Sequence, residues 1–504
     1  MLLTERYAGR IQLVLSCFDR VILTGTLPDF CHAEAATREL NLRGIRIFDF
    51  VAFAKELRER IRANAERLAA ENGLEIEFLR NARTRKEQRI QEILRQRGAH
   101  PGLVHIFSAL EACTTFEPWH NKQTHKTYLR PDSGKCIHYY FYFIDEEFGL
   151  CYLRVPTWAP YRLQFYFNGH SWLAMQLKKR RIAFEQLDNV FLSISDPVRA
   201  PKLVDNFSVK RLHRRLDSIV QTFCPAAEEF TAGYHWSLQQ VEYATDIVFR
   251  NAADLAPLYE TLVRTAVHAV KADQVATFLG RKLHPLYEGE VGNHFHTRIQ
   301  GTRIKHHMGQ VALKMYDKFG QVLRIETVAN DVSFFKHHRR VEHRDGSSEM
   351  KFAPLRKTIY SMPPLAGLMQ AANRRYLEFL STLDDTSAGP HHLDRVTRTV
   401  RDGDRTYRGF NFLSRDDTAL LLTITRGEFN ISGFQNKDLR RCLPHYQPRQ
   451  LSHILKRLRT HGLIKKVGRT YKYYLTRFGR TVSAIVLKLR EFLVIPSLAH
   501  AAHV

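Results

Sequence analysis

At 504 residues, with 44% apolar and 11% aromatic content, the chain is too long for one core and reads as about three or four folded domains. A net charge of +25 disfavours a compact state without a polyanionic partner, and the cations spread through aromatic-rich folded sequence rather than a polybasic tail. Nucleic acid, DNA foremost and RNA second, is therefore expected as partner, and a membrane is not.

The seven cysteines (17, 31, 113, 136, 151, 224, 442) are scattered, without a CxxC, as in a reducing cytoplasm. MLLTERYAGR lacks a signal-length apolar run, and Val482–Ile495 is broken by Lys488, Arg490 and Glu491. A cytoplasmic protein is expected.

Residues 1–110 alternate strand candidates (Leu13–Leu23, Ile45–Phe50, Leu74–Leu79, Leu103–Phe107) with helical spacing over Val51–Glu71 and Thr84–Arg97, stopped by Gly73 and Gly98. That alternation predicts a small α/β domain with a parallel sheet. Its acids near strand ends, Asp19, Asp49 and Glu111, would lie at the rim where such sheets carry sites. Thr24-Gly25-Thr26 has one glycine, so no phosphate loop and no nucleotide cofactor are expected.

Residues 111–195 read as an aromatic β-rich domain. Strands are predicted over Ile137–Ile144, Leu150–Val155 and Arg162–Phe167, then a helix over Trp172–Lys179. Aromatics beside cations suit stacking of unpaired bases, although alternate aromatics also build cores. Cys113, His120, His125, Cys136 and His138 match no zinc knuckle spacing, so zinc is not expected.

Residues 196–385 read as helical scaffold plus a β-hairpin, the candidate catalytic domain. Helices are predicted over Val209–Phe223 and Tyr243–Lys271, the first with a basic run at Arg211, His213, Arg214 and Arg215. His294-Phe295-His296 on one strand would put both imidazoles on one face, able to hold a metal. Alternating apolar runs at Val311-Leu313-Met315 and Leu323-Ile325 flank Asp317-Lys318-Phe319-Gly320, predicting a hairpin. His306 and His307 lie just upstream, and Lys314, Tyr316, Arg324, Glu326 and Thr327 supply its polar positions.

The pattern Tyr316-Asp317-Lys318 followed by Leu323-Arg324-Ile325-Glu326 resembles the hairpin of rolling-circle replication initiators, which nick DNA through a tyrosine and a carboxylate-held metal. The resemblance covers about thirty-five residues. It implies a magnesium or manganese site at Asp317 and Glu326; His294 and His296 are metal candidates through a separate likeness, to nicking enzymes that hold their metal with a His-hydrophobic-His pair. The initiator resemblance also implies phosphate contacts from Lys318 and Arg324, and a downstream tyrosine nucleophile. Tyr376, on a predicted helix over Leu368–Leu383 beside Arg374 and Arg375, is the first candidate, and Tyr360 the second. Both also fit an interfacial aromatic, and the hairpin acids also fit cross-strand ion pairs.

Residues 386–428, opening on the turn-rich Thr386–Pro390, read as linker and lead-in. Residues 429–504 predict a winged helix-turn-helix: helices Asn436–Leu443 and Pro448–Thr460, a hairpin of Leu463–Val467 with Thr470–Leu475, and a helix from about Thr481 to Leu493. RLRTHGLIKKVGRTYKYYLTRFGR resembles the recognition helix and wing of MarR-type regulators, and the whole chain resembles uncharacterised bacterial proteins carrying that label. From Lys437 to Arg490, Asp438 is the sole acid. Arg449, Gln450, Ser452, His453 and Lys456 are expected to face a major groove, with Arg457, Arg459, Lys465, Lys466, Arg469 and Lys472 adding cationic contacts.

The expectation is a multidomain α+β protein of a mobile element, a metal-dependent DNA nickase related to replication initiators. The alternative is a non-catalytic binder, either a winged-helix regulator acting as a homodimer or the protein half of a ribonucleoprotein.

Overall fold

The computed structural model describes residues 2–80, 85–282, 289–298, 301–343, 345–384, 388–468 and 470–501. The chain is mixed α+β and forms two compact units, Met1–Asp384 and Asp385–Val504.

The first unit is built on one eleven-stranded sheet. In chain order its strands are β1 (Ile11–Thr26), β2 (Ile76–Phe78), β3 (Gly102–Asn121), β4 (Lys126–Asp145), β5 (Gly149–Pro156) and β6 (Leu163–Asn168). A separate small hairpin follows, β7 (Phe184–Leu187) and β8 (Val190–Ile194), and then the sheet resumes. Its remaining strands are β9 (His235–Phe249), β10 (Val291–Arg298), β11 (Gly301–Met308), β12 (Val311–Lys318) and β13 (Val322–Ala329). The spatial order is β10-β11-β12-β13-β9-β1-β6-β5-β4-β3-β2. Every pairing is antiparallel except β2 with β3.

Several sequence expectations change here. The first hundred residues form no parallel α/β domain, because β1 pairs with the distant β6 and β9. Ile45–Phe50 is a single 3-10 turn, Ile47–Asp49, leading into the helix Phe50–Glu71, since Ile47 and Phe50 are buried by a turn and not by alternation. The divisions at 110/111 and 195/196 separate strands that share this sheet; the first falls within β3. The predicted helix Tyr243–Lys271 is strand β9 followed by the helix Ala252–Ala269. Residues 241 and 243–249 of β9 are all buried, and a strand covered on both faces loses the polar alternation that marks its period.

Other elements stand as read. The helix Lys86–Arg97 ends at Gly98 with φ 79°, and the helix Phe50–Glu71 is followed by Gly73 with φ 61°. The β12–β13 hairpin turns through Phe319 and Gly320, both at positive φ (59° and 72°), in register Tyr316↔Arg324 and Lys314↔Glu326. β13 is buried along its whole length. On one face Leu323 and Ile325 join a core that includes Leu365, Met369, Ala372, Tyr376 and Leu380 of the helix Met362–Asp384. Arg324 and Glu326 occupy the other face, equally buried, and that burial makes the site.

In the second unit the helices Asn436–Cys442, Pro448–Thr460 and Arg477–Leu489 and the hairpin Ile464–Lys466 with Tyr473–Leu475 occur in the expected order. Residues 388–428 are not linker. They carry the helices Ala388–Thr397 and Arg415–Ile424 and a small hairpin, and Val396, Phe410, Leu420, Leu421 and Ile424 enter the same core as Leu439, Leu451, Leu455 and Leu458. Each such side chain contributes roughly 1.5–3 kcal/mol by leaving water, which is why the stretch folds as part of this unit. Among the described residues no helix is long and apolar enough to cross a membrane.

Candidate metal centre

Three neighbouring strands converge on one acidic cluster. Asp19 of β1, Glu242 of β9 and Glu326 of β13 each place an oxygen within 4.8 Å of the others. A β-bulge makes this possible. The β1–β9 register slips between Phe18↔Tyr243 and Val21↔Val241, leaving Asp19 and Arg20 opposite Glu242.

The cluster is supported from both sides. Lys314 Nζ lies 3.3 Å from Glu242 Oε1 and 3.3 Å from Glu326 Oε2, and the Tyr316 hydroxyl donates to Glu326 Oε2 at 3.1 Å. Behind Asp19, the fully buried Arg324 donates to Asp246 Oδ1 (2.6 Å) and Oδ2 (2.7 Å), to Asp19 Oδ2 (3.2 Å) and to the Asn189 carbonyl (2.6 Å). His170 bridges Asp19 and Asp246 at 3.1 and 3.2 Å, and Asn168 and Asn189 donate to Asp19 Oδ1 at 2.8 and 2.6 Å. Burial alone would raise the Asp19 carboxyl. Arg324 and the hydrogen bonds from His170 and Asn168 overcome burial and hold it well below the usual range.

Glu326 behaves oppositely. Desolvation pushes its carboxyl up to about 8; Lys314 opposes the rise, while Glu242 and Asp19 add to it. Its Oε1 is buried with no hydrogen-bond partner. A buried Glu326 with one oxygen left unpartnered, clustered with two further carboxyl groups, fits a divalent cation, whose charge would favour the ionised form of Glu326, and an all-oxygen donor set suits Mg²⁺, Mn²⁺ or Ca²⁺ better than zinc. Among the described residues no other group of three His, Cys, Asp or Glu side chains is so arranged. Cys136 and His138 sit in the sheet 3.9 Å apart, outside any such group.

The site expected from the sequence is redistributed. Glu326 keeps its place, with Lys314 and Tyr316 beside it. Asp317 is one residue past Tyr316 on β12 and so faces the opposite side, where its Oδ1 is buried without a partner and desolvation raises its carboxyl. Arg324 and Lys318 are committed to protein partners. Lys318 Nζ binds Asp188 Oδ2 at 3.0 Å and Asn189, clipping the β7–β8 hairpin to the sheet. His294, on β10 three strands beyond β13, is exposed and stacks on His307, centroids 4.7 Å apart; the His296 side chain lies outside the described residues.

Tyr376 is fully buried. Its hydroxyl meets His306 Nε2 at 2.9 Å beside Phe278, and burial raises it well above an ordinary phenol, so no phosphodiester reaches it. Tyr360 is exposed, with its hydroxyl 2.8 Å from His213 Nδ1. Asp246, Glu242 and His170 carry no sequence signal of a site: Asp246 falls inside the predicted helix Tyr243–Lys271, Glu242 lies one residue before it, and His170 precedes its predicted helix by two residues. Asp19 reads from sequence only as a strand-end acid.

In the second unit Arg449, Gln450, Ser452, His453, Arg459 and Lys465 are exposed. Gln450 caps its own helix by accepting from Gln447 N, Ser452 bonds Asn436, His453 lies 5.2 Å from the Tyr407 ring and Lys456 pairs with Asp402. Lys466 and Lys472 are half-buried, each beside a tyrosine. Arg457 is not a surface cation. It is buried against Asp417 (2.8 and 2.9 Å), the Arg408 and Gly409 carbonyls and the Phe410 ring. Arg469 lies outside the described residues. Comparison with protein-family models, curated proteins and solved structures found no match for this chain.

Proposed function

We propose that the protein is a nucleic-acid-processing enzyme of a mobile element, cutting phosphodiesters at the Asp19–Glu242–Glu326 cluster with a divalent cation. The observation that carries this reading is the clustering of the buried Glu326, whose Oε1 has no hydrogen-bond partner, with carboxyl groups from two neighbouring strands. A cation held there would polarise a phosphate and activate water. Lys314 borders the cluster, and Lys305 stands opposite Lys314 in register, with His294 opposite Lys305, so basic side chains continue along the same face of the sheet. Such a row neutralises and aligns a phosphate backbone. Arg324, Asp246 and His170 fix Asp19 from behind.

The second unit supplies duplex binding in this reading. The order helix, helix, two-stranded hairpin, helix supports a winged helix whose Pro448–Thr460 helix enters the major groove through Arg449, Gln450, Ser452 and His453, with Lys465 on the backbone.

The second reading is a non-catalytic binder, favoured by one observation: the Lys314 ammonium already lies between Glu242 and Glu326 and can serve as their counter-charge. Incubation of the full chain with supercoiled plasmid and Mn²⁺ separates the two. Nicking by wild type that is lost in Glu326→Gln supports the enzyme; no nicking in Mg²⁺ or Mn²⁺ supports the binder. Protein joined to the nicked strand, absent in Tyr360→Phe, would move the nucleophile from water to that tyrosine.

A further inference from the structure

On the same face of the sheet, a row of side chains runs in register from the carboxylates to an aromatic cavity. Gln240 donates to Glu242 Oε1 at 3.3 Å and stands opposite Ile22; Ile22 stands opposite Tyr166, Tyr166 opposite Tyr152, and Tyr152 opposite Tyr142. Residues paired in this way project to one side of a sheet. Tyr152 and Tyr166 stack with centroids 5.2 Å apart and planes 16° from parallel. With Tyr142, Leu150, Arg95 and Asp188 they line a cavity of about 570 Å³, open to solvent beside the helix Lys86–Arg97.

Tyr166 belongs to both places. It lines the cavity, and the Arg20 guanidinium lies over its ring, 5.5 Å from the centroid. Arg20 sits in the bulge next to Asp19, and its Nε is buried without a hydrogen-bond partner. A half-buried arginine whose Nε is left unsatisfied, next to a stacked aromatic pair, has the chemistry of a phosphate contact joined to a base platform. The cavity wall carries Glu87, Glu92 and Asp188, which accept hydrogen bonds from base amino groups and repel phosphate. Base in the cavity and phosphate at Arg20 is thus the arrangement that satisfies both.

We propose that Arg20, Tyr166, Tyr152 and the adjoining cavity hold one unpaired nucleotide beside the carboxylate cluster, so that the substrate is single-stranded or locally opened nucleic acid. This rests on the phosphodiester-cutting reading above and names its substrate. A duplex keeps its bases stacked inside and cannot fill the cavity, whereas an unpaired strand gains one stacking contact and one charged contact there.

The test uses full-length protein in EDTA, so that binding is read without any cation. A fluorescein-labelled strand of about 12 adenines and cytosines, within the length one such groove covers, is titrated as DNA, as RNA and as a DNA duplex. Arg20→Gln and Tyr166→Leu are expected to weaken single-strand binding about tenfold each, the worth of one stacked base or one charged contact, while duplex binding stays unchanged. Tyr166→Phe, which keeps the ring, is expected to bind like wild type. The DNA and RNA arms decide which sugar the site accepts. Unchanged single-strand affinity in both variants, or equal losses for strand and duplex, overturns the proposal. Because the assay contains no cation, strand selectivity that survives when nicking fails leaves this surface standing and removes only the enzyme reading.

Discussion

Replacing Arg324 with Met distinguishes a buried charge scaffold from a substrate contact. The guanidinium is fully buried and serves Asp246, Asp19 and the Asn189 carbonyl together. Removing one member of a buried ion pair costs about 3–5 kcal/mol, because the carboxylates left behind lose their compensation in a low dielectric. Two carboxylates depend on Arg324, so the upper end, about 5 kcal/mol, is expected. The loss has a definite pH dependence. In wild type Asp19 and Asp246 are both held below their ordinary values, so their contribution is complete above about pH 4 and lost as pH falls further. In the variant both carboxyls rise, so the penalty is largest near neutrality and shrinks as the pH is lowered towards about 4. Urea unfolding followed by tryptophan fluorescence reads this directly, because all four tryptophans (119, 158, 172 and 236) lie in the first unit. A loss under about 1 kcal/mol, or one independent of pH with nucleic-acid affinity falling instead, would refute the scaffold assignment and restore Arg324 as a phosphate contact.

Other outcomes follow from the same structure. Tyr376→Phe removes only the hydrogen bond to His306 and is expected to cost about 1 kcal/mol of stability and no nicking; abolished nicking in a folded variant would return the nucleophile to Tyr376. Arg457→Ala is expected to destabilise the second unit by roughly 3 kcal/mol or more, seen as a lower melting transition by circular dichroism, whereas a surface phosphate contact would leave melting unchanged. His306 is pushed down to about 4 by burial, so the unfolded chain takes up its proton first. Stability of the first unit should therefore fall as pH drops from about 6.5 to 4, by up to about 3 kcal/mol, and His306→Gln should flatten that slope by one proton. Arg449→Ala with Lys465→Ala should weaken duplex binding and reduce the salt slope by about 0.9 per cation removed, if both meet phosphates.

Much of the local structure was legible because local signals agreed with burial. The Asp317–Gly320 turn carries the glycine its positive φ requires, and the helices after residue 436 show one apolar stripe each. The long-range pairings were not legible. Nothing near Ile11–Thr26 announces that it pairs with strands about 140 and 220 residues away, and contacts of that separation leave no periodic trace. The centre was obscured for a related reason. Glu242 and Asp246 lie on a strand whose residues are buried on both faces, so the segment reads equally as a helix. Glu326 is legible because its hairpin is local. Its partners Asp19 and Glu242 come from distant strands, whereas Asp317 is near in sequence but one residue along the strand from Tyr316, a step that reverses the face. Tyr376 shows the same limit from the other side: adjacent arginines suggested an activated phenol, while the helix turns that phenol into the core.

The central claim is that Asp19, Glu242 and Glu326 hold a divalent cation, and Mn²⁺ titration of the full chain followed by electron paramagnetic resonance tests it most directly. One bound Mn²⁺ per chain in wild type, weakened at least about tenfold in Glu242→Gln with unchanged melting, is the result predicted for the loss of one of three carboxylate ligands. No bound Mn²⁺ in wild type, or equal binding by both proteins, would contradict it and leave the cluster as a buried ion-pair network closed by Lys314.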